Sequence, residues 1–290
     1  MKRKLFITGV IFAVLFVFLC LPLSRYPISL AVMKIYSGLH ERDSLMEKKG
    51  ISLEIPGGGT TEEKDWYPFV MTFNDSAGFR QFIREKDGEL PYEMENPLEL
   101  TILYNFPAFD ILKGCSDLYN PQSPYYNSFY GAYLVSGRTA EGGPYGFSAD
   151  GSLDLEATSQ VPQFDFQRLV LTHLGIRSRQ QIFDWKMQSV RKNVDYGGSS
   201  GWTRVDASLI TNGVIHRPEG FQRSYLQYGS CAYVPKDYGM DSFAPVSMRG
   251  RLYGKYFADW DTSIFFYIMA ADEDVLESCD AKILSKSVLK

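Results

Sequence analysis

The pattern of apolar and polar positions separates a short N-terminal run from a long mixed remainder. Residues 5–23 are almost unbroken apolar, with Lys2, Arg3 and Lys4 directly in front. A bilayer core needs about 20 such residues as a helix, so the run predicts a membrane-spanning helix. Residues 32–49 then read as a polar helix. Ile51-Ser52-Leu53-Glu54-Ile55 alternates as a half-buried strand does, and it stops at Pro56-Gly57-Gly58-Gly59. Strands are predicted over 66–73 and 99–106. Between them a short helix starts at Asn74-Asp75-Ser76 and uses Phe79, Phe82 and Ile83.

The second half begins with a strand over 129–135 that is apolar on both faces, the mark of buried sheet. Residues 136–163, rich in Gly, Ser and Pro, predict an irregular connection and a candidate sub-domain boundary. Two helices are expected next. One covers 165–174 and ends at Gly175. The other starts at the capping pair Ser178 and Gln181 and carries Phe183, Met187, Val190 and Val194 at helical spacing. Strands follow over 205–209, 225–234 and 246–256. Ala258-Asp259-Trp260-Asp261 reads as a turn, and 263–271 as a continuous apolar strand at the centre of the sheet. Asp272 then caps a last helix with Val275, Leu276, Cys279, Ile283 and Leu284 on one face. The expected fold is α+β: a largely antiparallel sheet with a helical corner and a C-terminal helix, preceded by one membrane-spanning helix. The expected organisation is a signal-anchor over 1–31 and an α+β domain over 32–290.

Charge decides on which side of a membrane that domain would stand. The basic cluster ahead of the apolar run predicts a cytoplasmic N-terminus and an extracytoplasmic domain. The run is longer than the apolar region of a secretory signal, and Ser29-Leu30-Ala31 lies well beyond it, so an uncleaved anchor is preferred to a cleaved, secreted form. The chain has 30 Lys and Arg against 34 Asp and Glu, and Lys2, Arg3, Lys4 and Arg25 all belong to the N-terminal segment. The domain is therefore more acidic than the whole, which argues against nucleic acid as a partner. Beyond Cys20 there are Cys115, Cys231 and Cys279. Cys279 falls on an apolar helix face, which leaves Cys115 and Cys231 as the candidate disulfide.

Motifs with chemical meaning are few. Gly197-Gly198-Ser199-Ser200-Gly201 has the G-x-S-x-G spacing of serine hydrolases, with Asp206 and His216 after it. That motif needs a strand-to-helix turn, and here a predicted helix precedes and a strand follows. The segment from Leu174 to Trp185 resembles the helix-turn-helix of DNA-binding proteins. An extracytoplasmic domain makes a plain helical corner the preferred reading. Asp150, Ser152, Asp154 and Glu156 alternate as calcium ligands could, but Leu155 stands where an EF-hand needs Gly. His40, His173 and His216 share no metal-ligand spacing with each other or with a cysteine. Cys231 with either later histidine is a conceivable nucleophile and base, weighed against a structural cysteine. No phosphate loop is present, and no cofactor is implied.

The densest aromatic stretch, GCSDLYNPQSPYYNSFYGAYLV at 114–135, splits in two. Its second half is the buried strand. Its first half, broken by Pro121 and Pro124, offers Asp117, Tyr119, Tyr125 and Tyr126 as a recognition loop. These readings favour a membrane-anchored binding or accessory module, held through residues 5–23, with a protein or glycan ligand. The alternatives are a cell-surface hydrolase acting on wall or peptide material and a cytoplasm-facing regulator using the 165–194 corner.

Overall fold

A computed structural model describes residues 2–20, 35, 37–56, 69–87, 97–106, 109–110, 115–116, 128–138, 142–172, 176–213 and 244–290. In chain order its elements begin with α1 (Lys2–Cys20), α2 (Leu45–Lys49), β1 (Leu53–Glu54), β2 (Phe69–Asn74) and α3 (Ser76–Asp87). The strands β3 (Glu99–Phe106), β4 (Phe109–Asp110), β5 (Cys115–Ser116) and β6 (Ser128–Ser136) follow, then α4 (Leu155–Asp165). The remainder is β7 (Phe183–Tyr196), β8 (Ser199–Thr211), β9 (Val246–Phe257), β10 (Thr262–Ala270), α5 (Glu273–Lys282) and β11 (Val288–Leu289). Among the described residues, seven strands form one antiparallel sheet in the order β2-β3-β6-β10-β9-β8-β7. The expected α+β class, antiparallel sheet and C-terminal helix are all present.

The apolar runs sit at the middle of this sheet. Every residue of β10 is buried, and β10 is the fourth strand of the seven. A strand covered on both faces must be apolar at every position rather than at alternate ones. On one face Phe265, Tyr267, Tyr133 and Leu209 meet Phe79 and Ile83 of α3 and Val161 and Phe164 of α4. On the other, Phe266, Ile268, Leu134 and Trp202 meet Leu45 of α2 and Leu276, Cys279 and Ile283 around α5. Carboxylates start three of the helices, and the Ser44 hydroxyl starts α2. Asp75 Oδ1 accepts from the Gly78 amide, Asp154 from Glu156 and Ala157, and Asp272 from Asp274. Strands from both sides of 136–163 join the same sheet, and α4 occupies the end of that segment.

The helical corner is corrected. Residues 183–196 are the strand β7, and Ser178–Gln180 is only a single 3₁₀ turn. The cause is a bulge. Met187 pairs with Ala207, and the next pair is Ser189 with Asp206, so Gln188 is an extra residue. The insertion resets the period-two alternation and keeps Met187 and Val190 on the face of Phe183. A strand thereby acquires the four-then-three spacing of a helix. β7 turns into β8 through Gly197 and Gly198, with φ of 54° and 75°. Positive φ at both central residues is what a two-residue hairpin turn of this hand requires. The helix expected over 165–174 starts earlier, as α4, and continues as a π-helical segment over Phe166–Leu171.

In α1 the described side chains, residues 7–17, are all exposed. Among the described residues no helix is long and apolar enough to cross a membrane. The strand expected over 225–234 and the cap at Gly175 lie outside the described residues.

Candidate functional site

Among the described residues, two places bring together several charged side chains. The first is Arg251 on β9. Alternation assigns it to the solvent-facing set, yet its side chain is 5% exposed because α5 covers it. The guanidinium donates from Nε to Asp206 Oδ1 (2.8 Å), from Nη1 to Asp280 Oδ2 (2.6 Å) and from Nη2 to Glu277 Oε1 (2.6 Å). Arg204 adds bonds from Nε and Nη2 to Asp206. Asp280 also accepts from the Tyr253 hydroxyl (2.7 Å) and the Tyr196 hydroxyl (2.8 Å), and these two rings stack 3.6 Å apart.

The titration directions follow from these contacts. Burial pushes the Asp206 carboxyl up, but the hydrogen bonds from Arg204 and Arg251 outweigh it and hold the pKa below its ordinary value. Hydrogen bonding to Arg251 lowers that of Glu277. Burial, then the neighbouring Asp280 charge, raises both tyrosines. A charge this deep is tolerated only when paired and hydrogen-bonded. Here guanidinium, carboxylates and phenols are turned on one another, and the network binds α5 to the sheet.

The second place is a groove of about 390 Å³ between residues 144–153, β7, β8 and β9. Its floor is set by the loop that leads to α4. Gly146 has φ of 80°, and a Cβ there would stand 2.5 Å from the Phe265 ring, so glycine lets the loop lie on the sheet. Backbone bonds from Tyr145 to Gly137 and from Asp154 to Gly146 pin it. Phe147 and Tyr256 supply aromatic surface, while Asp150, Lys192 and Asn193 supply polar groups. Lys255 Nζ donates to the Ser200 carbonyl (2.7 Å) and lies 4.5 Å over the Phe257 ring. Asp150 accepts from the Ser152 hydroxyl and amide, which together with nearby Lys192 hold its pKa below the ordinary value. The Tyr256 hydroxyl donates to Asp261, which Arg138 also reaches. The groove thus carries the Lys192 ammonium, one anchored carboxylate and aromatic walls, while the Lys255 ammonium turns to the Phe257 side of the sheet.

Of the residues singled out from sequence, Asp117, Tyr119, Tyr125, Tyr126 and Cys231 lie outside the described residues, as do His173 and His216. Cys115 opens β5. Ser199 stands just after the hairpin turn, where its hydroxyl accepts from the Trp202 indole (2.8 Å), and Asp206 is held by Arg204 and Arg251. Asp154 caps α4 rather than facing Asp150. Among the described residues no group of three or more His, Cys, Asp or Glu side chains could hold a metal ion. Sequence reasoning missed Arg251, Asp280 and Lys255, and it placed Lys192 only in a basic surface with Arg177, Arg179, Lys186 and Arg191. A signal for Asp280 was present: Glu277 and Asp280 are three apart on a helix, hence on one side of it, beside the apolar stripe.

No protein-family model matches the chain, and no curated protein or solved structure matches it.

Proposed function

We propose that the chain is a membrane-anchored extracytoplasmic binding or accessory module whose ligand site is the groove beside Asp150 and Lys192. The groove is the observation that carries this reading, because it combines exposed hydrogen-bonding groups with aromatic surface, the mixture that fixes a small ligand's orientation. The Lys192 ammonium favours a ligand with a carboxylate or phosphate, such as an acidic glycan. The exposed apolar side chains of α1, Phe12 and Phe16 among them, support its insertion in a bilayer.

The test is binding of uronic-acid and neutral disaccharides to the full chain in lipid nanodiscs, by calorimetry. Acidic sugars are expected to bind, and the Lys192→Ala variant to lose at least about tenfold in affinity, or about 1.4 kcal/mol. Equal binding by that variant would remove the groove from the account. External protease added to intact cells should digest the domain; protection would reverse the orientation.

A further inference from the structure

The two edges of the sheet are treated differently. At the β2 edge, the Thr72 amide donates to Ser37 Oγ and Asn74 Nδ2 donates to the His40 carbonyl, so the segment before α2 covers it. At the other edge β7 runs for 14 residues, and among the described residues it pairs only with β8. Its side chains are exposed on both faces from Lys186 to Asn193. The bulge at Gln188 places Met187 and Val190 on one face, 44% and 39% exposed, next to half-buried Trp185. The stretch KMQSVRK at 186–192 has three cations and no anion, in a chain whose net charge is −4.

We propose that the β7 edge is a docking site for an extended acidic peptide of another protein, added as an eighth strand. An open edge offers backbone donors and acceptors for such an addition, and side chains on alternate faces set its selectivity. Met187 and Val190 would take apolar residues of the incoming strand on one face. Arg191, which pairs with Arg204 on the opposite face, would meet its carboxylates. Charge complementarity selects this occupant over a second copy of the chain. Two β7 edges paired antiparallel about their middle would set Lys186 against Arg191 or Lys192, and like charges directly opposite destabilise a pair. This site goes beyond the groove reading and does not depend on it.

The experiment titrates the full chain in nanodiscs with a fluorescein-labelled peptide of alternating Val and Glu. Controls are a Val and Lys peptide and two acidic peptides with alternate amides N-methylated, one in each phase. Saturable binding of the acidic peptide is expected, abolished by N-methylation in one of the two phases. Arg191→Glu should weaken it at least about tenfold, while Lys255→Ala on β9 leaves it unchanged. The inference is overturned if both N-methylated peptides bind as well as the parent, if Arg191→Glu binds equally, or if the acidic peptide does not bind. Self-association of the chain that Arg191→Glu abolishes would overturn it too.

Discussion

On the face of α3 and α4 the packing is ring against ring: Phe79 of α3 lies 5.2 Å from Phe164 of α4, the loop residue Phe147 stacks on Phe265 of the sheet at 6.0 Å, and Phe129 of β6 meets Phe166 at 5.6 Å. Under α5 the apolar packing of Leu276 and Cys279 is joined by an ionic contact, in which Arg251 of the sheet reaches Glu277 and Asp280. Ring contacts favour edge-on or offset geometries but depend chiefly on filled volume. The ionic contact is directional, and it holds only if each charge keeps its partner. The first face therefore tolerates apolar exchange of similar size. The second fixes how α5 sits along β9, since Glu277 and Asp280 must both reach one guanidinium.

Substitutions that empty each face should be costly for different reasons. Phe265→Ala leaves a cavity at the centre of the sheet and is expected to cost about 3–5 kcal/mol in urea unfolding. Arg251→Met strands Asp280 as a buried unpaired carboxylate, with an expected cost of about 3–5 kcal/mol as well. The two separate on rescue: adding Asp280→Asn should recover part of the Arg251→Met loss and none of the Phe265→Ala loss. Should Arg251→Met cost less than about 1 kcal/mol, the network does not hold α5 and the contrast between the faces collapses.

A third variant probes the strand that links them. A Cβ at Gly250 would stand 2.5 Å from the Trp185 ring. Gly250→Ala should cost about 1–3 kcal/mol, and Trp185→Ala in the same chain should remove the clash. If the thermal midpoint of Gly250→Ala matches the parent, the ring does not sit on that glycine.

Acid should distinguish the faces more finely. Asp206 and Glu277 have ordinary values of 3.8 and 4.5 and are both depressed in the fold. Groups with lowered pKa stabilise fully above the unfolded value, and that contribution fades as pH falls through the folded one. The stability of the parent chain should therefore drop as pH falls below 4.5, and the Arg251→Met chain should show a flatter acid limb. Identical acid limbs would rule out Arg251 as the cause. At high pH the faces behave alike. Tyr196 and Tyr253 on one and Tyr267 on the other are all raised from 10.0, so stability falls as pH rises past that value. The smallest effect belongs to a surface pair, Lys48 with Glu99 at 2.9 Å, whose side chains are 48% and 35% exposed. Lys48→Ala should change stability by less than about 1 kcal/mol, which sets the scale for what burial adds at Arg251.

Much of the sheet was legible because its strands keep one alternation from end to end. Glu99–Phe106 has the expected limits, β10 is central as its unbroken apolar run implies, and Asp272 starts the last helix. β7 was not legible, since its bulge converts the strand period into helical spacing at Phe183, Met187 and Val190. Arg251 escaped for a related reason: alternation says which face a residue takes but not what covers that face. The groove escaped because its residues come from a loop and three strands, and only the fold brings Asp150 beside Lys192. The proposed recognition loop around Tyr119 and Tyr125 lies outside the described residues.

The short pair of β1 with β11 matches Leu53 with Leu289 and Glu54 with Val288, and it is extended by mutual backbone bonds between Ser52 and Lys290. It joins positions near opposite ends of the sequence, a contact whose closure entropy is met only after the intervening chain has folded. Because the strands are antiparallel, the chain enters at Ser52 and reaches Lys290 at the same end of the ladder. Tension between those points would peel the pair one bond at a time rather than shear it as a unit. Under load the clasp is the part of the domain that opens first, with the seven-stranded sheet behind it still closed.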